Sequence, residues 1–152
     1  MLGRIRPGAG SLLDRATRGN RMDRVLVIDD DVQVRKMLEE MLSRARFAVT
    51  TVGDGQSGLD ALDRQDFGCV IVDMIMPHMD GLEIIRRIAQ DHPGTQVIAL
   101  TGGGPFHRYD LLEKAVSLGA ADALRKPLDY EELITVVGRV FGREDDGEIL
   151  SA

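Results

Sequence analysis

Acidic residues follow two apolar segments of the sequence, in places that suit chemistry. Asp29 and Asp30 come directly after Val-Leu-Val-Ile, and Asp73 comes directly after Cys-Val-Ile-Val. Short runs of β-branched apolar residues are typical of strands that are buried on both faces of a parallel sheet. Ligands of such sheets lie beyond the carboxyl ends of the strands, so we expect the three carboxylates at one edge. Crowded carboxylates raise one another's pKa unless a cation compensates.

Two further polar residues end later apolar segments. Thr101 closes Val-Ile-Ala-Leu, and Lys126 follows Ala-Asp-Ala-Leu-Arg. Carboxylate oxygens suit Mg²⁺, and a hydroxyl and an ammonium group add contacts for phosphoryl oxygens. The apolar strand before Asp73 makes it the carboxylate placed to act as a nucleophile. Each residue alone has a structural explanation as a helix cap, strand end or turn, but their joint occurrence at four strand ends favours chemistry.

Five apolar segments alternate with five amphipathic ones. The strands are predicted at 24–28, 47–51, 69–73, 97–101 and 121–125. Apolar residues at helical spacing follow each strand, with Asp31 as the N-cap of the first helix and Gly119 as the C-cap of the fourth. This alternation predicts a doubly wound, flavodoxin-like α/β fold with a five-stranded parallel sheet in the order 2-1-3-4-5.

Composition and charge limit the classes of function. The 152 residues fit one domain, and no segment approaches the ~20 apolar residues that span a bilayer. The single cysteine, Cys69, lies in a strand and is interpreted as a core residue of a protein from a reducing compartment. The net charge of −6 gives no reason to expect direct binding to nucleic acid.

The charge is unevenly distributed and suggests three regions. Residues 1–24 hold six arginines against two acids, so the remainder is strongly acidic. We expect residues 1–22 to form a flexible basic extension, residues 23–142 to form the domain that carries the site, and residues 143–152 to form an acidic tail.

Four motifs in chain order resemble those of a known family. They are Val-Leu-Val-Ile-Asp29-Asp30-Asp31, Val-Asp73-Met-Ile-Met-Pro77-His-Met-Asp80-Gly81, Ala-Leu-Thr101-Gly102 and Leu-Arg-Lys126-Pro127. Over roughly residues 23–142 the sequence resembles the receiver domain of bacterial two-component response regulators.

The resemblance implies phosphorelay signalling rather than classical enzyme activity. Asp73 would accept a phosphoryl group from the phosphohistidine of a histidine kinase or a histidine phosphotransfer protein. Thr101 and Lys126 would contact the phosphoryl oxygens, and Gly102 would let a backbone amide approach them. The implied Mg²⁺ ligands are Asp29, Asp30, Asp73 and the backbone carbonyl of Ile75.

The resemblance also implies how the signal leaves the domain. With no second domain in the sequence, we expect a stand-alone, cytoplasmic response regulator that acts through protein contacts rather than on nucleic acid or membrane. Phosphorylation would alter the surface of helix four, strand five and helix five, which binds a downstream protein or a second copy of the chain. The residues expected in or near this region are Ala115, Asp122, Arg125, Tyr130 and Glu131.

Several positions depart from the family pattern or tune it. Ala123 replaces the aromatic residue that often stands three positions before the lysine and moves with the threonine, and Phe106 and Tyr109 are candidates to replace it. Ile75 and Gly103 offer no side-chain help to an attacking water, which predicts slow dephosphorylation. Arg35, a frequent basic position on the first helix, is interpreted as structural.

Three alternatives stay open from the sequence. A flavodoxin-like ligand-binding module would need a phosphate-binding loop after the first strand, where this chain has three aspartates. A phosphatase of the haloacid dehalogenase type would need an acid two residues after the nucleophile, where Ile75 stands. A degenerate receiver would be a phosphorylation-independent scaffold, but all the expected site residues are present.

Overall fold

A computed structural model describes residues 23–102 and 108–142, except for the side chains of 108–112. The proposed extension, 1–22, and tail, 143–152, therefore lie outside the described residues. The strands are β1 (Arg24–Ile28), β2 (Ala48–Val52), β3 (Cys69–Asp73), β4 (Gln96–Thr101) and β5 (Asp122–Arg125). The helices are α1 (Val32–Arg44), α2 (Gly55–Arg64), α3 (Gly81–Asp91), α4 (Arg108–Ser117) and α5 (Tyr130–Val140).

The five strands form one parallel sheet in the order β2-β1-β3-β4-β5, which confirms the predicted fold. Asp73 lies opposite Leu100, and Thr101 lies opposite Arg125, so the polar strand ends share one edge. β2 begins one residue later than predicted. Phe47 lies between α1 and β2: its N–H donates to the Leu42 carbonyl of α1 at 3.0 Å, and its ring stacks on Phe141.

Alternating side chains of the sheet divide the core into two layers. Val25 and Val27 of β1 pack with α1 and α5 on one face. Leu26 and Ile28 pack with α2, α3 and Ala115 of α4 on the other face. Since both faces are covered, β1 is apolar from Val25 to Ile28 and β3 is apolar from Cys69 to Val72, as is typical of parallel strands. In the described segments, no helix is long and apolar enough to cross a membrane.

The orientation of α3 differs from the predicted one. Ile85 and Ile88 are buried as expected, but Ala89 is exposed and Ile84 is buried instead. This orientation puts three isoleucines into the core and leaves the smaller alanine in solvent, which buries more apolar area. The predicted caps are present: Asp31 accepts from the Gln33 and Val34 amides, and Gly119 has a φ of +122°.

Gly81, the first residue of α3, is predicted to be essential for the loop that follows Asp73. A Cβ there would lie 2.6 Å from Met74 Cα and 2.7 Å from the Asp73 carbonyl oxygen, and backbone atoms cannot move aside easily. We expect Gly81→Ala to lower the free energy of unfolding by about 1–3 kcal/mol, the usual cost of overpacking. Urea unfolding followed by circular dichroism measures this.

Gly102→Ala is the matched control for that substitution, because a Cβ at Gly102 would meet no atom within 4 Å. Equal unfolding midpoints for Gly81→Ala and the wild type would contradict the predicted clash.

Candidate functional site

Three carboxylates meet at the carboxyl edge of the sheet. Asp29 follows β1 and is fully buried, Asp73 ends β3 and is 4% exposed, and Asp30 lies exposed at the rim. One oxygen of each lies within 4.8 Å of the others. The structure therefore brings together the three acids that the sequence predicted to be neighbours.

Lys126 lies against two of these carboxylates. Its Nζ is 3.2 Å from Asp29 Oδ2 and 3.5 Å from Asp73 Oδ2. The chain fixes this position directly after β5, where the Lys126 N–H donates to the Thr101 carbonyl at 2.8 Å. Burial alone would lower the pKa of Lys126, but the charges of Asp73 and Asp29 raise it above its ordinary value, so the ammonium stays charged.

Local amides hold the other oxygen of each buried carboxylate. The Asp31 N–H donates to Asp29 Oδ1 at 2.9 Å, and the Ile75 N–H donates to Asp73 Oδ1 at 3.1 Å. Asp29 Oδ2 is buried and has no hydrogen bond from the described residues, because Lys126 approaches it only as an ion pair. A buried carboxylate oxygen without a hydrogen bond is costly, so this oxygen is suited to a further cationic partner.

Burial and neighbouring charge change the acidity of Asp73. Desolvation is the largest cause, and together with the negative charges of Asp29 and Asp30 it raises the pKa of Asp73 to about 6. The Ile75 amide and the Lys126 charge oppose this rise without cancelling it. Without a divalent cation, the cluster therefore binds protons near neutral pH more tightly than an ordinary aspartate does.

Thr101 adds a hydroxyl at the end of β4. It is 1% exposed, and its Oγ1 is buried without a hydrogen-bond partner among the described residues. The Ile75 side chain, in contrast, is 66% exposed, and Ala123 is partly buried against the α2–α3 side of the core. Gly103 and Phe106 lie outside the described residues, as does the side chain of Tyr109.

The residues expected in or near the output surface differ in exposure. Ala115 is fully buried, whereas its neighbour Val116 is 55% exposed. Asp122 joins β5 to α5 through an ion pair of 3.0 Å with Arg139. Arg125 and Glu131 are exposed, and Tyr130 is partly buried.

The sequence prediction missed a contact behind the acidic cluster. Arg35 Nη1 of α1 donates to the Asp29 carbonyl oxygen at 2.7 Å, and its guanidinium lies against Gly53. The basic residue on the first helix was a visible signal, but its partner is a backbone atom and Gly53 is distant in sequence. The structure thus gives Arg35 a specific partner, the backbone carbonyl of Asp29.

The acidic cluster fits a divalent cation. It offers hard carboxylate oxygens close together, one of them buried without a hydrogen bond, and Asp30 leaves an open side for water. This is the ligand chemistry that Mg²⁺ prefers in proteins.

Comparison with known proteins places this site in a family. The sequence model described as the response regulator receiver domain matches residues 25–138. The chain belongs to this family. It is a signalling module of two-component systems rather than a classical enzyme, and the acidic cluster stands where receivers have their metal site. Family membership excludes the flavodoxin-like ligand-binding module and the phosphatase considered above.

Individual relatives support the assignment. The chain is 37% identical over 113 residues to the transcriptional regulatory protein FixJ of Bradyrhizobium diazoefficiens, covering 74% of this chain and 54% of that protein. It is 31% identical over 131 residues to the response regulator ArlR of Staphylococcus aureus, covering 85% of this chain and 57% of that protein. The chain thus spans about half the length of these curated relatives.

Solved receiver structures superpose over most of the described fold. A receiver domain protein from Clostridium thermocellum is 30% identical with a TM-score of 0.73, covering 80% of this chain and 96% of that one. The chemotaxis protein CheY4 of Vibrio cholerae is 28% identical with a TM-score of 0.70, covering 78% of this chain and 98% of that one.

Proposed function

We propose that this receiver accepts a phosphoryl group on Asp73 from the phosphohistidine of a histidine kinase or a histidine phosphotransfer protein. The observation that carries the proposal is the position of the Asp73 carboxylate, at the end of β3 beside two other acids and 3.5 Å from Lys126. A carboxylate oxygen of Asp73 attacks phosphorus, a new O–P bond forms, and the P–N bond to the donor histidine breaks. The donor imidazole leaves with the bonding electron pair.

The neighbouring residues supply positioning and charge, which phosphoryl transfer chiefly requires. Lys126 exchanges a carboxylate partner for a phosphoryl oxygen, and the Thr101 hydroxyl donates a hydrogen bond to another. Gly102 leaves open space beside its amide, since a Cβ there would meet no atom. Asp29, Asp30, Asp73 and the backbone carbonyl of Ile75 would hold Mg²⁺, which would supply positive charge for the phosphoryl oxygens.

We further propose residues 23–142 as the functional unit, acting in the cytoplasm through protein partners. The output surface comprises α4, β5 and α5, and it binds a downstream protein or a second phosphorylated copy of the chain. The Asp122–Arg139 ion pair couples β5 to α5 within this surface. The stand-alone arrangement stays an expectation from the sequence.

Intact-mass measurement after incubation with Mg²⁺ and acetyl phosphate tests the proposal. We expect a single phosphoryl adduct on the wild-type chain and no adduct when excess chelator removes the metal. If neither acetyl phosphate nor phosphorylated kinases labelled the folded, metal-binding protein, the phosphorylation-independent scaffold would be the better description.

The aspartyl phosphate is predicted to be long-lived. Ile75 is apolar and 66% exposed beside Asp73, so it cannot orient an attacking water. We expect Ile75→Gln, which adds an amide at this place, to shorten the half-life of the isolated phosphoprotein. The decay of the adduct at fixed Mg²⁺ measures this, with Val116→Gln as the control at a distant exposed apolar position. Rapid decay of the wild-type adduct would contradict the prediction.

A further inference from the structure

The guanidinium of Arg35 is built into the backbone behind the acidic cluster. Its Nη1 donates to the Asp29 carbonyl oxygen at 2.7 Å. A Cβ on Gly53 would lie only 3.0 Å from the same Nη1, so the guanidinium packs directly on the glycine backbone. Arg35 thereby links α1, the end of β1 and the turn after β2.

Hydrogen bonds hold each backbone group of Asp29. Its N–H donates to the Val52 carbonyl at 3.2 Å, and its carbonyl accepts from Arg35. Its side chain accepts from the Asp31 N–H at 2.9 Å. Because the peptide unit is planar, fixing the Asp29 carbonyl also fixes the nitrogen of Asp30. The contact from Arg35 therefore helps to hold the peptide unit that joins the two aspartates.

We propose that Arg35 is a positioning residue for the cation site and acts through the Asp29–Asp30 peptide. This inference rests on the proposed function, in which both aspartates hold a divalent cation. Arg35 donates to a backbone carbonyl and has no described contact with a carboxylate of the cluster, so its role lies in orientation rather than in charge pairing.

The direction in which cation affinity changes when the Arg35 charge is removed distinguishes a positioning role from a purely electrostatic one. Removing a positive charge near a cation site strengthens cation binding through Coulomb's law. Loss of orientation weakens it, because residues that hold metal ligands through hydrogen bonds typically contribute tenfold or more to affinity. The proposal requires weaker binding after the arginine charge is removed.

Mn²⁺ affinity, measured from the free-ion signal in electron paramagnetic resonance, provides the test without any phosphorylation. We expect Arg35→Gln to weaken Mn²⁺ binding by about tenfold, and Arg35→Lys to recover part of the loss because an ammonium group keeps one donor. Lys36→Gln, at the adjacent exposed position of α1, removes the same charge and should leave affinity unchanged or slightly higher. Circular dichroism confirms that each variant is folded at the temperature of the titration.

Gly53→Ala tests the same contact from the other side and does not depend on the stability of Arg35→Gln. The added Cβ displaces the guanidinium by a few tenths of an ångström, so we expect a smaller loss of affinity. In the Arg35→Gln background, Gly53→Ala should cause no further loss of affinity, because the contact it disturbs is already absent. Unchanged or tighter binding by Arg35→Gln would overturn the positioning role. Absence of Mn²⁺ binding by the wild type would instead overturn the proposed cation site itself.

Discussion

Asp73→Asn is expected to abolish phosphoryl incorporation from acetyl phosphate. An asparagine keeps the shape of the side chain and an oxygen that accepts from the Ile75 amide, which holds Asp73 Oδ1 at 3.1 Å. It removes the anionic oxygen that would attack phosphorus, and an amide is a very poor nucleophile in its place. Intact-mass measurement should show full occupancy of one site in the wild type and no adduct in the variant.

Asp66→Asn is the matched control for this substitution. Asp66 is an exposed aspartate in the loop before β3, away from the acidic cluster, and should be labelled like the wild type. Labelling of Asp73→Asn at the wild-type rate would show that another residue is the acceptor.

Asp73→Asn is also expected to stabilise the metal-free domain at neutral pH. The pKa of Asp73 is raised from 3.8 to about 6, so the folded state holds the proton more tightly than the unfolded chain does. The wild-type domain therefore loses stability as the pH rises from about 4 to about 6. Above pH 6 the full cost of holding Asp73 ionised in the folded state remains. A difference of 1 between the pKa values of the folded and unfolded states corresponds to about 1.4 kcal/mol of stability. Asp73→Asn should therefore raise the free energy of unfolding by about 1–3 kcal/mol at pH 7.5.

Urea unfolding across this pH range, followed by circular dichroism in the presence of chelator, measures the effect as the difference between variant and wild type. The difference should be small at pH 4 and reach its maximum above pH 6. Saturating Mg²⁺ should reduce it, since the metal stabilises only the wild-type cluster strongly. A difference that stays flat with pH would contradict the assigned cause.

Lys126→Met should have the opposite effect on stability. It leaves the Asp29 and Asp73 carboxylates without their shared ammonium and is expected to lower the free energy of unfolding by about 1–3 kcal/mol. The side chain of Lys126 is 22% exposed, so the cost lies below that of a fully buried pair. A stabilised Lys126→Met variant would contradict this account of the cluster.

The fold was predictable because it follows from local patterns. Buried parallel strands are short apolar runs, and the helices between them carry apolar residues at helical spacing. Once the strand order is predicted from this alternation, the residues at the carboxyl ends of β1, β3, β4 and β5 must lie at one edge of the sheet. Asp29, Asp73 and Lys126 could therefore be grouped without any distance information.

Other features depend on packing that a sequence pattern does not contain. The buried face of α3 includes Ile84 rather than Ala89, because the fit between helix and sheet decides small rotations. The contact between Arg35 and the Asp29 carbonyl involves a backbone acceptor, which carries no signal in residue types.

Locating the phosphoryl group on the wild-type chain tests the central claim most directly. Borohydride reduces an aspartyl phosphate to homoserine, so the phosphoprotein can be reduced, digested and sequenced by mass spectrometry. The proposed function predicts homoserine at position 73 alone, in an amount that matches the adduct seen in the intact protein. Homoserine at another aspartate, or a stable phosphate on a serine, threonine or histidine, would contradict Asp73 as the acceptor.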